Sequence, residues 1–373
     1  MSGFVPPPYP YDRLNRLLPI TDAHPGGTVD LSIGTPFDPP PAEVLEALSS
    51  SGTERSYPPS IGTPAFREAA QRWIRRRFDV EIPVAQIGAT IGSKEFVATL
   101  PQWMQLRAPE RDTVLYPAIS YPSYEMGAIL AGCRPVPVPA LPDGRMDLDS
   151  IDPADADRAL LLWVNSPGNP TGALDDLDAA AHWGRHRGVP VFSDECYVEF
   201  TWTTRGRTIL ESGVDGVVAV HSLSKRSNLA GLRVGFYAGD AELVSYLQEI
   251  RKHVGMMVPG PAQAAAIAAL DDDDHVEVQR ERYRSRLDVL AAVLSEWSGE
   301  PVPLPHGAFY LWIPVGDGWD YAERLASDAG ALVSPGEFYG PCGASFVRVA
   351  VVQPDERVQL VADRLAAARR GMT

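Results

Sequence analysis

The chain has 373 residues, with 33 basic and 48 acidic side chains and a formal net charge of −15. Hydrophobic residues make up 45% and charged residues 22%, a globular profile that excludes a disordered or fibrous chain. So acidic a sequence has no surplus positive charge to displace counterions, which argues against a nucleic-acid partner and against an anionic lipid surface.

Three scattered cysteines (Cys133, Cys196 and Cys342) with no CxxC pair read as reduced thiols of a cytoplasmic protein. The first residues carry no signal-peptide pattern. The longest apolar runs, such as 264–270, fall short of a membrane span. The length suggests about two domains. The expected division is an N-terminal arm with part of a small domain over 1–40, a large domain over 41–261, and a C-terminal small domain over 262–373.

Prolines cluster at 5–10 and 36–41, and the first cluster reads as an extended arm. From 87 to 254, β-rich runs at 113–116, 159–164, 189–193, 217–221 and 234–238 alternate with helical patterns. Leu243, Tyr246, Leu247, Ile250 and Val254 recur at helical spacing, and Asp240 can cap that helix. This alternation predicts an α/β fold, with a mostly parallel sheet between helices. After 261 a long helical stretch runs to about Trp297, interrupted at the acidic run 271–274. A strand over 309–313, a helix over 319–329, a strand over 345–352 and a helix from Asp355 follow, which reads as a smaller α+β domain.

Only three of the 33 basic residues are Lys: Lys94, Lys225 and Lys252. Lys225 follows a β run in HSLSKRSNLAGLRVGF (221–236). An ε-amine on a small-residue loop suits Schiff-base chemistry, although SxSK also fits a solvated loop. Ser222, Ser224 and Arg233 nearby can hold a phosphate. Asp194 ends the apolar run VPVFSDECY (189–197), where ligands sit in open α/β sheets. A carboxylate there needs a cationic partner, such as a protonated pyridine nitrogen, or it caps the next turn. Asn169 in WVNSPGNPTG (163–172) also follows a strand, in a loop stiffened by two prolines.

Jointly, NPTG (169–172), SDECY (193–197), SLSK with GLR (222–225 and 231–233) and VRVA (347–350) resemble the fold-type I pyridoxal-phosphate enzymes, in the class I/II aminotransferase family. The resemblance spans nearly the whole chain. It implies a large domain with a mostly parallel, seven-stranded sheet and pyridoxal 5'-phosphate as cofactor. It implies that Lys225 binds the cofactor covalently and moves the proton, and that Asp194 pairs with the pyridine nitrogen. Tyr197 and Asn169 would bond the ring hydroxyl, and Tyr121 in SYPSYE (120–125) would stack on the ring. Ser93 and Lys94 in TIGSKE (90–95) would form the phosphate turn, completed by Ser222, Ser224 and Arg233. Tyr57 in YPPSIGTPAFREA (57–69) would reach the phosphate of a second subunit, which implies a homodimer. Arg348 would grip the substrate α-carboxylate, Asn169 would also contact the substrate, and Gly34 in LSIGTPFDPP (31–40) would lie in the loop covering it.

Within that family, the runs HSLSKRSNLAG and RKHVGMMVP are most similar to N-succinyldiaminopimelate aminotransferases of lysine biosynthesis. That substrate carries further carboxylates, for which Arg16, Arg226, Arg251 and Lys252 are candidate partners. Other acidic amino acids and C–S lyase chemistry stay open, while the lack of GxGxxG after a strand disfavours a dehydrogenase. His182 and His186 have metal-ligand spacing but no third ligand, so no metal is expected. The run 271–274 reads as a solvated turn, and Arg72, Arg75, Arg76 and Arg77 as a solvated or subunit-facing helix face. Lys252 reads as a solvated helix end, and Cys196 as a small buried residue.

Overall fold

The computed structural model describes residues 3–372. These form two compact units, one of 35–282 with 305–308, the other of the segments up to Gly34, 283–304 and from Phe309 onward.

The larger unit is built on seven strands: β1 (Ile87–Thr90), β2 (Thr113–Pro117), β3 (Arg134–Val138), β4 (Ala159–Asn165), β5 (Val191–Asp194), β6 (Val217–Ser222) and β7 (Gly235–Gly239). Their order is β1-β7-β6-β5-β4-β2-β3. Strands β2 to β6 run parallel, and β7 is antiparallel to both β6 and β1. Besides a single turn at Pro153–Asp157, the helices are α1 (Ala42–Ser50), α2 (Pro64–Phe78), α3 (Ser93–Arg107), α4 (Ser123–Leu130), α5 (Leu177–Arg187), α6 (Leu223–Arg226), α7 (Ala241–His253), α8 (Gly260–Asp271) and the first part of α9 (Asp274–Ser298).

Strand periodicity divides the core into two layers. Leu162, Val164, Val191, Ala219 and Phe236 face Phe66, Trp73 and Ile74 of α2. Trp163, Phe192, Val220 and Tyr237 face Phe96, Leu100 and Trp103 of α3. Successive strand residues point to opposite faces, so β4, buried at every position, reads as a continuous apolar run. The helix ends follow local chemistry. The Thr63 hydroxyl accepts the Phe66 N–H to open α2, Pro64 takes the first helical position, and Asp240 caps α7.

The expected strands are observed to within about two residues, but in the larger unit β1 and β3 escape the sequence patterns. β1 has only four residues, and β3 reads Arg-Pro-Val-Pro-Val. β3 lies at the sheet edge, where alternate N–H groups lack a strand partner and proline is tolerated. The patterns place a boundary at 261, whereas the compact units divide inside α9, at 282. The alanine-rich α8 packs on α1 and α2, which ties 262–271 to the larger unit.

The smaller unit contains β8 (Tyr310–Pro314), α10 (Gly318–Ala329), β9 (Ser334–Pro335), β10 (Phe346–Ala350) and α11 (Asp355–Met372). Its antiparallel sheet has the order β9-β10-β8, and Val29–Asp30 pairs in parallel with Ala331–Leu332. Among the described residues, no helix is long and apolar enough to cross a membrane.

Helix α4 approaches α3 through Gly127. A Cβ there would meet the Val97 carbonyl oxygen at 2.9 Å and the Ala98 Cα at 3.2 Å, both rigid backbone. Gly127→Ala is expected to destabilise the protein by about 1–3 kcal/mol, the usual range for overpacking. A thermal melt showing an unchanged midpoint would refute this account of the contact.

Candidate active site

Three parallel strands end side by side in the larger unit. Asn165 of β4 is in register with Asp194 of β5, and Asp194 with Val220 of β6, two residues before Ser222. On the other side of β6, Gly235 of β7 lies in register with both Ser222 and Thr90. The segments bearing Asn169, Asp194, Lys225 and Ser93 therefore all leave one edge of the sheet.

Each segment is pinned by a short bond. The Asn165 side chain donates to the Asp194 carbonyl at 2.9 Å and accepts the Asn169 N–H at 2.8 Å. Asn165 thus positions Asn169 against β5, a role no sequence motif marks, since Asn before Ser-Pro-Gly reads as a turn residue. Asn169 and Tyr197 are both buried. Lys225 sits half-buried on the single turn of α6, where the Ser222 hydroxyl accepts the Ser224 N–H.

The Asp194 carboxyl is 7% exposed. Its Oδ2 accepts the Tyr124 hydroxyl at 3.0 Å, and its Oδ1 accepts the Cys196 N–H at 3.2 Å. Burial pushes its pKa up, while these bonds and the Lys225 charge pull it down. Burial and the Asp194 charge raise the Cys196 thiol well above its usual range, so Cys196 is no thiolate nucleophile. Tyr124, in the same SYPSYE run as Tyr121, reaches Asp194 one helical turn later; its i, i+3 spacing was the available signal.

At the N-terminus of α3, Gly92 has φ +75°, and Ser93 opens the helix. Arg233 donates to the Ala230 carbonyl at 2.8 Å and lies 3.5 Å from the Ser224 hydroxyl. A Cβ on Gly92 would lie 2.2 Å from the Arg233 guanidinium, so only glycine leaves this cradle open. The Lys94 ammonium donates to the Tyr121 hydroxyl at 3.1 Å. Behind the turn, Glu95 accepts the Ile91 N–H and a two-pronged bond from Arg251, both prongs at 2.8 Å.

The four cations suggested for distal carboxylates are engaged within the protein. Arg251, 1% exposed, is held by Glu95. Arg226, 4% exposed, is held by Glu199 and Asp273. Lys252 pairs with Glu249, and Arg16 with Glu323. The acidic run and the basic helix face find each other: Arg72 pairs with Asp271, Arg76 with Asp273, and Arg77 with Glu199 and Glu277. Arg75 pairs with Glu81, and both are 68% exposed. Arg72, Arg75, Arg76, Asp271 and Asp274 keep the exposure expected of them, while Arg77, Asp272 and Asp273 are half-buried, and the pairing between the two features is not visible in local patterns. His182 and His186 are exposed on α5.

In the smaller unit Arg348 is 1% exposed on β10, in register with Ser334 and Trp312. Its guanidinium lies over the Tyr310 ring at 4.2 Å and the Tyr339 ring at 4.8 Å, and it donates to the Ser32 carbonyl. A Cβ on Gly34 would lie 2.0 Å from the Tyr310 hydroxyl, which makes glycine obligatory beside it. Tyr57, of the larger unit, is 93% exposed.

Next to Asp194, Glu195 points to the opposite face of the sheet. Its Oε1 accepts the Ile209 N–H, and its Oε2 lies 3.5 Å from His221 Nε2. Burial lifts Glu195 from 4.5 to about 8 and drops His221 from 6.5 to about 3, so both are neutral near pH 7. Trp73 and Phe236, each with its ring centroid 4.9 Å from His221, supply the apolar surroundings. A folded Glu195 holds its proton above the pH where an unfolded carboxyl loses it. Its contribution to stability is full below 4.5 and drains away as pH rises to about 8. His221 acts oppositely: its contribution is present above 6.5 and is lost on acidification to about 3. Glu195→Gln is therefore expected to flatten the fall in melting temperature between pH 6.5 and 8 while leaving the acid limb. An unchanged alkaline slope would show that Glu195 is not the titrating group.

Residues 27–365 match the family described as aminotransferase class I and II. The chain is 41% identical over 368 residues to the 4-dedimethylamino-4-oxo-anhydrotetracycline transaminase OxyQ of Streptomyces rimosus, covering 96% of this chain and 99% of that one. It is 34% identical to the LL-diaminopimelate aminotransferase of Aquifex aeolicus, covering 97% and 96%. Among solved structures, a probable N-succinyldiaminopimelate aminotransferase from Thermus thermophilus superposes with a TM-score of 0.85 at 30% identity, over 96% and 99% of the two chains. With its mixed sheet, its strand-end cluster and this similarity over nearly its full length, the chain belongs to the class I and II aminotransferases, a pyridoxal-phosphate-dependent family of fold type I.

Proposed function

We propose that the chain moves an amino group between N-succinyl-LL-2,6-diaminopimelate and 2-oxoglutarate, or from glutamate in the reverse sense, in the cytoplasm as part of lysine biosynthesis. The observation that carries the aminotransferase chemistry is the alignment of Asn169, Asp194 and Lys225 beyond neighbouring parallel strand ends. The substrate choice is supported by the similarity to the Thermus thermophilus structure and the LL-diaminopimelate aminotransferase. OxyQ, at higher identity, favours a second reading in which the acceptor is a cyclic ketone rather than an amino-acid skeleton.

The residues fit pyridoxal 5'-phosphate. The open cradle between Gly92 and Arg233, at a helix N-terminus, suits an anion. The buried Asp194 carboxyl suits a protonated ring nitrogen. When bound, the cofactor supplies an electron sink for negative charge at the substrate α-carbon.

The chain's own residues do the rest. Asp194 keeps a proton on the ring nitrogen, and Tyr124 holds the Asp194 Oδ2 in place. Asn169 and Tyr197 would hold the ring hydroxyl, and Tyr121 would hold the ring by stacking. Ser93, Lys94, Ser222, Ser224 and Arg233 would hold the phosphate, and Tyr57 would reach that of a second copy in a homodimer. By the family resemblance, Arg348 would be the two-pronged donor to the substrate α-carboxylate, and Asn169 and Gly34 would be further substrate-binding residues. Lys225 takes the proton from the α-carbon as a general base and returns it as an acid.

Visible absorption of the reconstituted enzyme tests this reading. Glutamate and N-succinyl-LL-diaminopimelate, added separately without oxo acid, should each bleach the yellow band. Bleaching by glutamate alone would retain the aminotransferase and discard the succinylated substrate. Release of pyruvate and ammonia without an oxo acid would make the enzyme a lyase. Lys225→Ala is expected to lower turnover by about 10²–10⁴-fold, the usual share of acid–base catalysis. Arg348→Lys should lower kcat/KM for α-carboxylate donors by about 10–100-fold, since a charge-assisted fork contributes about 1.5–3 kcal/mol.

A further inference from the structure

Lys225 stands on a helix of four residues, Leu223–Arg226. One turn has no stability of its own, so its orientation must come from tertiary contacts. The next residue, Arg226, is almost fully buried and uses all three guanidinium nitrogens. Nε donates to Glu199 Oε1 at 3.1 Å, and Nη1 to the Ser227 hydroxyl at 3.0 Å and to the Ala269 carbonyl. Nη2 donates to the Asp272 carbonyl at 3.2 Å and to Asp273 Oδ1 at 2.9 Å.

Both carboxylates are held in turn. Glu199 accepts the Trp73 indole N–H at 2.9 Å and the Arg77 guanidinium at 2.6 Å. Asp273 accepts Arg76 at 2.6 Å. The result is an alternating chain of charges, Arg77–Glu199–Arg226–Asp273–Arg76, with its exposed members at the ends and Arg226 in the middle. Glu199 lies five residues beyond Asp194, and Arg226 immediately follows Lys225. Their bond ties together the two segments that bear the reacting amine and the ring-nitrogen carboxyl.

We propose that Arg226 is a positioning residue: clamped between Glu199 and Asp273, it sets where the Lys225 amine stands relative to Asp194. This rests on the assignment of Lys225 as the cofactor lysine. A Lys at 226 could not replace it, because an ammonium cannot present a planar fork to five acceptors at once. Arg226→Gln is an informative variant. Glu199 keeps Trp73 and Arg77, and Asp273 keeps Arg76, so no buried carboxylate is left alone.

The test compares wild type, Arg226→Gln and Arg226→Lys reconstituted with pyridoxal phosphate. Covalent attachment at Lys225 is followed by borohydride trapping and mass spectrometry, alongside cofactor release and the melting of the cofactor-free protein. In both variants trapping should slow, and kcat should fall, by at least about tenfold with KM little changed, since a misplacement of ~1 Å costs up to ~10²-fold. Trapping and kcat within about twofold of wild type, with only a lower melting temperature, would reduce Arg226 to a structural residue and overturn the proposal. Were Arg226→Gln not to fold, Asp273→Ala, which removes one arm of the clamp, should still slow trapping, and wild-type trapping there would overturn it equally. Failure of the wild-type chain to trap cofactor at Lys225 would instead strike the functional reading itself.

Discussion

Asp194 ends β5 almost out of reach of water, and a carboxylate so placed is tolerable only among groups that hydrogen-bond it or oppose its charge. Tyr124, the Cys196 N–H and the Lys225 charge supply these from three different segments. Satisfying one buried acid therefore draws α4, the turn after β5 and α6 toward the same strand end. Asn165 adds the fourth segment by bonding the Asp194 backbone rather than its side chain. A site of this kind is assembled by the need to solvate one group with protein.

The strand pleat explains why two consecutive acids behave differently. Asp194 faces the layer of α3 and α4, where polar donors wait. Glu195 faces the layer of α2, where Trp73 and Phe236 crowd His221. With few donors and aromatic neighbours, both Glu195 and His221 stay neutral, and their 3.5 Å approach is a contact of uncharged groups rather than an ion pair. Four residues beyond Glu195, Glu199 meets two guanidinium groups instead, and so is held as one link in a chain of opposite charges.

The α/β architecture was legible because buried parallel strands are apolar at every position, as in Ala159–Asn165. The strand-end motifs were legible because Gly, Pro, Ser and Asn mark where strands stop. β3 was not, since its two prolines read as loop and only its edge position admits them. The partners of charged side chains were least visible. Arg226 and Arg251 look like spare cations in the sequence, yet their acceptors lie 27 and 156 residues away, at Glu199 and Glu95. Local pattern carries the period of an element and the chemistry of its ends, and it carries nothing about which distant helix an arginine will meet. Asn165 was hidden for the same reason, since it acts through Asp194 on a neighbouring strand, whereas Tyr124 left only its spacing from Tyr121 as a signal.

Residues 225 and 226 show a division of labour between the two cations. Arg is planar, forked and never neutral in a protein, so it suits buried junctions such as Arg226 and Arg251, where several acceptors must be met at once. Lys is a single point of charge that loses its proton when its surroundings favour the amine, which makes it poor at junctions and usable as a nucleophile. At 225 and 226 the two requirements fall on adjacent residues: one amine left half-buried, one guanidinium closed in by five acceptors. Exchanging them would put an undeprotonatable group where an amine must react and a single-point donor where a fork is needed. The order Lys-Arg is thus itself a constraint, set by the acceptors behind α6 on one side and by the carboxyl of Asp194 on the other.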